Sequence, residues 1–188
     1  MTGVELQPAF QCREAGQGGL MRTLHHHRRT LQPVEFMWNI KQQILNGAKA
    51  TGIQVFVLPS EECQQIRSTI LSKYTDVQGR WPTWIWEHFT SAASYADQDG
   101  WRWIGDYCSG REAIMLFSEQ DEQSVFLFTN GQEITRVLEE CFGFEFYLTN
   151  PSVDFVLCFN HHECLIATGE AICWLEAQRA IRSQDQSA

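Results

Sequence analysis

Apolar runs long enough to cross a bilayer are missing. None approaches the roughly 18 residues a membrane helix needs, so the chain is not read as an integral membrane protein. No basic n-region followed by an apolar h-region opens the sequence. No Walker loop, GxGxxG, HExxH, GxSxG or EF-hand spacing occurs. That removes the usual phosphate-cradling, metalloprotease, serine-hydrolase and calcium-loop chemistries. No repeating unit is visible, which excludes solenoids and propellers. Basic residues are scarce: 14 Lys and Arg stand against 23 Asp and Glu, for a formal charge of −9. Charged residues make up only 20% of the chain, too few for a wholly disordered polyelectrolyte.

What is present is about one domain's worth of chain. Its 188 residues are 44% hydrophobic and 12% aromatic, enough to build a packed core. The charge is unevenly spread. Residues 1–36 hold four basic and three acidic side chains, so residues 37–188 hold 10 against 20, a net charge of −10. A phosphate backbone repels a domain that acidic, which argues against direct nucleic-acid binding. A basic partner is attracted, because complementary fields speed encounter. The competing reading is that the acidity only keeps the protein soluble. The seven cysteines (Cys12, Cys63, Cys108, Cys141, Cys158, Cys164 and Cys173) are odd in number, and most lie in or beside apolar stretches. Reduced, buried thiols in a cytoplasmic protein fit that pattern better than a disulfide framework.

Residues 1–36, with Gly16, Gly18, Gly19, Pro8, Pro33 and the run from His25 to Arg29, hold no lasting apolar period. They read as a disordered or loosely attached leader. The triple histidine lacks spaced partners for a functional metal site. Residues 37–182 read as one α+β domain and residues 183–188 as a frayed tail. Trp38, Ile40, Ile44, Leu45 and Ala48 recur at helical spacing before Gly52. Ile53–Leu58 reads as a buried strand. Ser60 opens a helix to about Tyr74, with Glu61 and Glu62 complementing its dipole. Pro82 predicts a short helix that puts Trp84 and His88 on one face, and Ser91–Gly100 reads as a loop. Strands are expected at Trp101–Cys108, Glu112–Phe117 and Val125–Phe128. A helix follows Asn130, with Glu133 in capping-box position. Further strands are expected at Phe144–Thr149, Asp154–Phe159 and Cys164–Ala167, before a last helix from Thr168 or Gly169. Hairpin-linked strands separated by helices predict a mostly antiparallel sheet of about six or seven strands with helices on one face.

The densest group of reactive side chains is Cys158-Phe159-Asn160-His161-His162-Glu163-Cys164. It holds four soft-metal ligands and a carboxylate, but no second pair at finger spacing. The cysteines read as strand residues flanking a turn, with the histidines at its tip. No metal and no cofactor are expected. A Cys–His nucleophilic pair needs a thiolate of lowered pKa, and Cys158 and Cys164 have apolar neighbours. The adjacent carboxylates Asp97/Asp99, Asp121/Glu122 and Glu139/Glu140 lack the cross-groove spacing of a glycosidase. With no catalytic set, the chain reads as a non-enzyme. The acids read better as a recognition surface. Asp97, Asp99 and Asp106 surround Trp101, Trp103 and Tyr107, with Glu119, Asp121 and Glu122 on a neighbouring loop. Aromatic anchors among carboxylates suit a basic protein partner. Alternatively, Trp101 and Trp103 alternate into the core.

The segments Phe144–Asn150, Asp154–Glu163 and Gly169–Leu175, with Trp84-Ile85-Trp86-Glu87-His88-Phe89 upstream, resemble the signature of an uncharacterised family of small bacterial proteins. The general layout is also similar to the small acidic α+β immunity proteins of bacterial polymorphic-toxin systems, the SMI1/KNR4-like group. Asn130-Gly131 matches part of that group's pattern. This resemblance implies a cytoplasmic protein that neutralises a basic toxin, such as a nuclease, by docking on it. The expected partner surface is Asp97, Asp99, Trp101, Trp103, Asp106, Glu119, Asp121 and Glu122. The alternative is an enzyme or metal-binding protein that uses the turn of His161, His162, Glu163 and Cys164.

Overall fold

The structure is a computed structural model that describes residues 39–185. The expected leader over residues 1–36 lies outside the described residues, as do residues 186–188. Helix α1 (Ile40–Thr51) starts where Asn39 Oδ1 accepts the backbone N–H of Gln42 and stops at Gly52, whose φ of 72° closes it. Its buried stripe of Ile40, Ile44 and Ala48 is the one the sequence period predicts. Helix α2 (Ser60–Tyr74) buries Cys63, Ile66, Arg67, Ile70 and Leu71.

Among the described residues, seven strands form one sheet in the order β1-β4-β3-β5-β6-β7-β2. They are β1 (Val55–Val57), β2 (Ala93–Ala96), β3 (Ala113–Leu116), β4 (Phe126–Phe128), β5 (Phe146–Thr149), β6 (Phe155–Phe159) and β7 (Cys164–Gly169). Every neighbouring pair is antiparallel, in keeping with the hairpin pattern. Helices α3 (Ile104–Tyr107), α4 (Glu133–Leu138) and α5 (Ala171–Asp185) complete the α+β fold. Residues 183–185 of the expected tail continue α5.

Three local expectations are corrected. The segment Ile53–Leu58 is not a buried strand: its core, β1, is a sheet edge that leaves Phe56 and Val57 exposed. Ala93–Ala96 is the opposite edge strand, not a loop. Its small residues carry little strand signal of their own, and pairing with β7 supplies the structure. Trp101–Cys108 is helical, a 3-10 turn over Gly100–Trp103 running into α3. Its aromatics favour a strand locally, but Trp103, Ile104 and Cys108 all bury against the sheet, and that packing decides the conformation.

The helices also cover both faces of the sheet rather than one. Met115, Phe126, Phe128, Phe146, Leu148, Phe155 and Leu157 pack with α1, α3, α4 and α5. The alternate residues Ile114, Leu116, Tyr147, Val156, Cys158 and Ile166 pack with α2 and with the 3-10 turn Ile85–His88. Strands β3, β5, β6 and β7 are therefore buried on both sides. That is why they read as continuous apolar runs instead of alternating ones.

The strand registers fix where the loops fall. Leu116 pairs Tyr147, Phe146 pairs Phe159, Phe159 pairs Leu165, and Ala96 pairs Cys164. The segments 97–99, 118–124, 144–145 and 160–163 therefore emerge side by side at one end of the sheet.

Candidate functional site

That end of the sheet gathers the chemistry that the sequence disperses. The β6–β7 turn is built by Asn160, whose Oδ1 accepts the N–H groups of His162 and Cys164. Glu163 takes a φ of 56°, which closes the turn in the left-handed region. Both histidines are thrown outward. His161 Nδ1 lies 2.9 Å from Glu145 Oε2, and Tyr147 donates its hydroxyl to Glu145 Oε1 at 2.7 Å. Glu145 is only 10% exposed, so Tyr147 and His161 satisfy a carboxylate that is nearly out of water. The His161 ring sits 5.6 Å from Trp84, 6.2 Å from Trp86 and 4.0 Å from His162. Trp84 remains 45% exposed. Glu145 is the residue that sequence reasoning missed. The signal was the i, i+2 spacing of Glu145 and Tyr147, which puts both on one face of β5 and its lead-in.

The loop 118–124 carries three of the expected partner residues, and Arg67 anchors it from below. The Arg67 guanidinium donates to the carbonyl of Phe117 at 2.7 Å, lies 3.8 Å from Glu119 and stacks 5.0 Å over Trp81. Burial pulls its pKa down, and Glu119 opposes the shift. Glu122 accepts the N–H groups of Ser124 and Lys41, so its carboxylate builds the fold as well as the surface. Asp121 has no ion pair among the described residues. Partial desolvation first, and the charge of Glu145 second, raise its carboxyl above its ordinary value, although much of the side chain stays in water. The folded state therefore binds that proton more tightly than the unfolded chain does. Asp121 weakens the fold above its folded pKa, and the penalty fades as pH falls from there to the unfolded value. Asp121→Asn is expected to raise Tm at pH 7, with the gain shrinking in melts run below the ordinary carboxylate range.

The other expected partner residues divide. Asp97 and Asp99 lie at the same end of the sheet, past β2. The Asp97 side chain accepts the N–H of Asp99, and Asp99 pairs with Arg102 at 3.2 Å. They are four strand spacings, about 19 Å, from β3 and its acidic loop, so the β6–β7 turn lies between the two groups. Trp101 lines an apolar pocket of about 220 Å³ with Phe142, Phe144, Phe159 and Leu138. Phe142 stands exposed at its lip. The structure does not bring Trp103 or Asp106 to this surface. Trp103 is buried between Tyr95 and Arg182. Asp106 lies on α3, which runs into Cys108 beside Ala113 and Gly131, at the opposite end of β3.

The turn's thiols do not join its histidines. Cys158 and Cys164 point into the core, and among the described residues no group of three or more His, Cys, Asp or Glu is placed to hold a metal ion. Burial pushes Cys108 and Cys141 up to about 12 and Cys158 well above its ordinary value. Cys173, on α5, is the exposed thiol among the described residues. In the native protein at pH 8, alkylation followed by peptide mapping is expected to mark Cys173 within minutes. Cys108, Cys141 and Cys158 should label only after unfolding.

Fold and site together define an α+β domain with a seven-stranded antiparallel sheet and an acidic, aromatic end. Among the described residues, no helix is long and apolar enough to cross a membrane. The chain belongs to a family of unknown function, DUF6756, whose profile matches residues 39–176. No curated protein and no solved structure matches it.

Proposed function

We propose that this chain is an acidic protein-binding module that receives a basic protein partner on the loop end of its sheet. In the finer form of this reading the partner is a toxin, such as a nuclease, and the chain is a cytoplasmic immunity protein of the SMI1/KNR4-like kind. One observation carries it. The loops 97–99, 118–124, 144–145 and 160–163 put Asp97, Asp99, Glu119, Asp121, Glu122, Glu145 and Glu163 at one end of the sheet, with exposed Trp84 among them. Carboxylates around aromatic anchors give a basic partner both steering charge and apolar area to bury. The pocket behind Trp101 has room for one large apolar side chain beside the acids.

Salt dependence tests the reading. The immobilised full chain is exposed to lysate of the cells that make it, at low and at high salt. A single basic protein held at low salt and released at high salt is the expected result. Capture of acidic proteins, or capture indifferent to salt, would count against an electrostatic docking surface.

A further inference from the structure

Helix α1 begins beside an apolar hollow. Past α4, the chain turns back toward β5, and Leu138, Cys141, Phe142 and Phe144 line a pocket of about 220 Å³ with Trp101 and Phe159. Phe142 stands at its lip and is 62% exposed, the most of any large apolar side chain among the described residues. The first turns of α1 are tied to this lip. Gln43 is buried, and its Oε1 accepts the backbone N–H of Phe142 at 2.8 Å. Lys41, two residues earlier, donates its N–H to Glu122 Oε2 at 3.2 Å. The start of the helix is therefore held at two points.

Helix geometry then says where the preceding side chain goes. At a capped helix start, an apolar residue just before the cap packs against the side chain five positions on, a staple that sets the entry angle of the chain. Asn39 is the cap, since its side chain accepts the N–H of Gln42. The stapling pair is therefore Trp38, which immediately precedes the described residues, and Gln43. Gln43 is polar and spends its amide oxygen on Phe142, so the apolar surface at the staple position is that of Phe142 and the pocket behind it. No linker separates Trp38 from the cap, so its indole is presented there at high effective concentration.

We propose that Trp38 is the occupant of this pocket, its indole set against Phe142 and inserted toward Trp101 and Phe144. It fastens the segment before α1 to the segment after α4. A flat aromatic group suits the site, because rings line it and ring–ring contact adds to the apolar area removed from water. The inference goes beyond the docking reading and does not depend on it. A partner on the acidic loops meets this pocket already filled, and an apolar anchor of its own enters only by displacing Trp38.

The full chain is labelled with 5-fluorotryptophan, and Trp38→Phe identifies the fluorine resonance of residue 38 among the seven. That resonance is expected away from its position in urea, with the small solvent isotope shift of a buried indole. Phe142→Ala changes an exposed residue and is expected to move it toward the urea position. Phe56→Ala removes another exposed ring, on β1, and is expected to leave it in place. In a second measurement, Trp38→Ala is expected to speed alkylation of Cys141 about tenfold by opening the pocket it lines, with Cys108 and Cys158 unchanged. A resonance that keeps its urea position, or that answers to Phe56→Ala as much as to Phe142→Ala, would overturn the seat. So would an unchanged Cys141 rate in Trp38→Ala. If all three thiols speed up together, Trp38→Ala has loosened the whole fold, and Phe142→Ala decides: movement of the resonance supports the seat, and no movement overturns it. No partner is present in either measurement, so failure here leaves the docking reading standing.

Discussion

Replacing Arg67 with alanine is expected to cost about 3 kcal/mol of stability, seen as a large drop in the urea midpoint at unchanged slope. The side chain is almost fully buried and donates to the carbonyl of Phe117 at 2.7 Å and to that of Glu122 at 3.4 Å. A buried hydrogen bond from a charged donor is worth about 1.5–3 kcal/mol, and its loss leaves the Phe117 carbonyl unpaired. The stem and guanidinium also pack on Trp81, so truncation opens a void. The ion pair with Glu119 adds little, because that carboxylate is 44% exposed and screened. Arg67→Lys keeps the charge but not the fork, and should recover only part of the loss. A change below about 1 kcal/mol in Arg67→Ala would mean that the 118–124 loop is held by other contacts. The consequence reaches the proposed docking surface, since the same guanidinium holds the backbone of the loop that carries Glu119, Asp121 and Glu122.

Charge reversal at the loop end is expected to weaken the captured partner by about 100-fold or more, mostly through a slower association rate. The variant must spare carboxylates that build the fold. Glu122 receives two backbone N–H groups and Asp99 pairs with Arg102, so neither is reversed. Asp121→Lys and Glu163→Lys change exposed acids that have no ion pair among the described residues. Asp97→Asn removes charge while keeping the oxygen that accepts the N–H of Asp99. A matched control, Asp106→Lys with Glu112→Lys and Glu170→Gln, makes the same total change in charge at the other end of the sheet. That control should alter binding by only a few fold, because its charges lie more than a Debye length from the docked partner. Equal losses in the two variants would show that only net charge matters. Thermal melts separate a binding loss from an unfolding one.

The elements read most faithfully were those whose local signal and tertiary role agree. Helix α1 has a clear 3.6-residue period and Gly52, and both act as the sequence implies. The hairpin of β6 and β7 was legible because Asn160 to Glu163 separates two apolar runs. The failures were of another kind. Ala93-Ser94-Tyr95-Ala96 becomes a strand because β7 needs a neighbour, and nothing in those small side chains announces it. Trp101 to Cys108 winds into helix because burial of Trp103 and Ile104 outweighs aromatic strand preference.

The candidate site was half visible. The acidic loops and Trp101 were readable, but their arrangement around His161 was not, since Glu145, Trp84 and His161 are distant in sequence and meet only through the sheet register. With Trp101–Cys108 read as a strand beside the loop of Asp97 and Asp99, Trp103 and Asp106 looked like part of the same surface. The helical turn sends them elsewhere.

Hydrogen–deuterium exchange on the chain with and without its captured basic partner tests the docking surface most directly. Docking at the loop end gives slowed exchange in segments 97–101, 118–124, 144–145 and 160–163 and around Trp84. The edge strand β1, the outer face of α2 and the turn at 150–153 should stay unchanged. Protection along β1 and α2, with the 118–124 and 160–163 loops exchanging as fast as in the free protein, would contradict it.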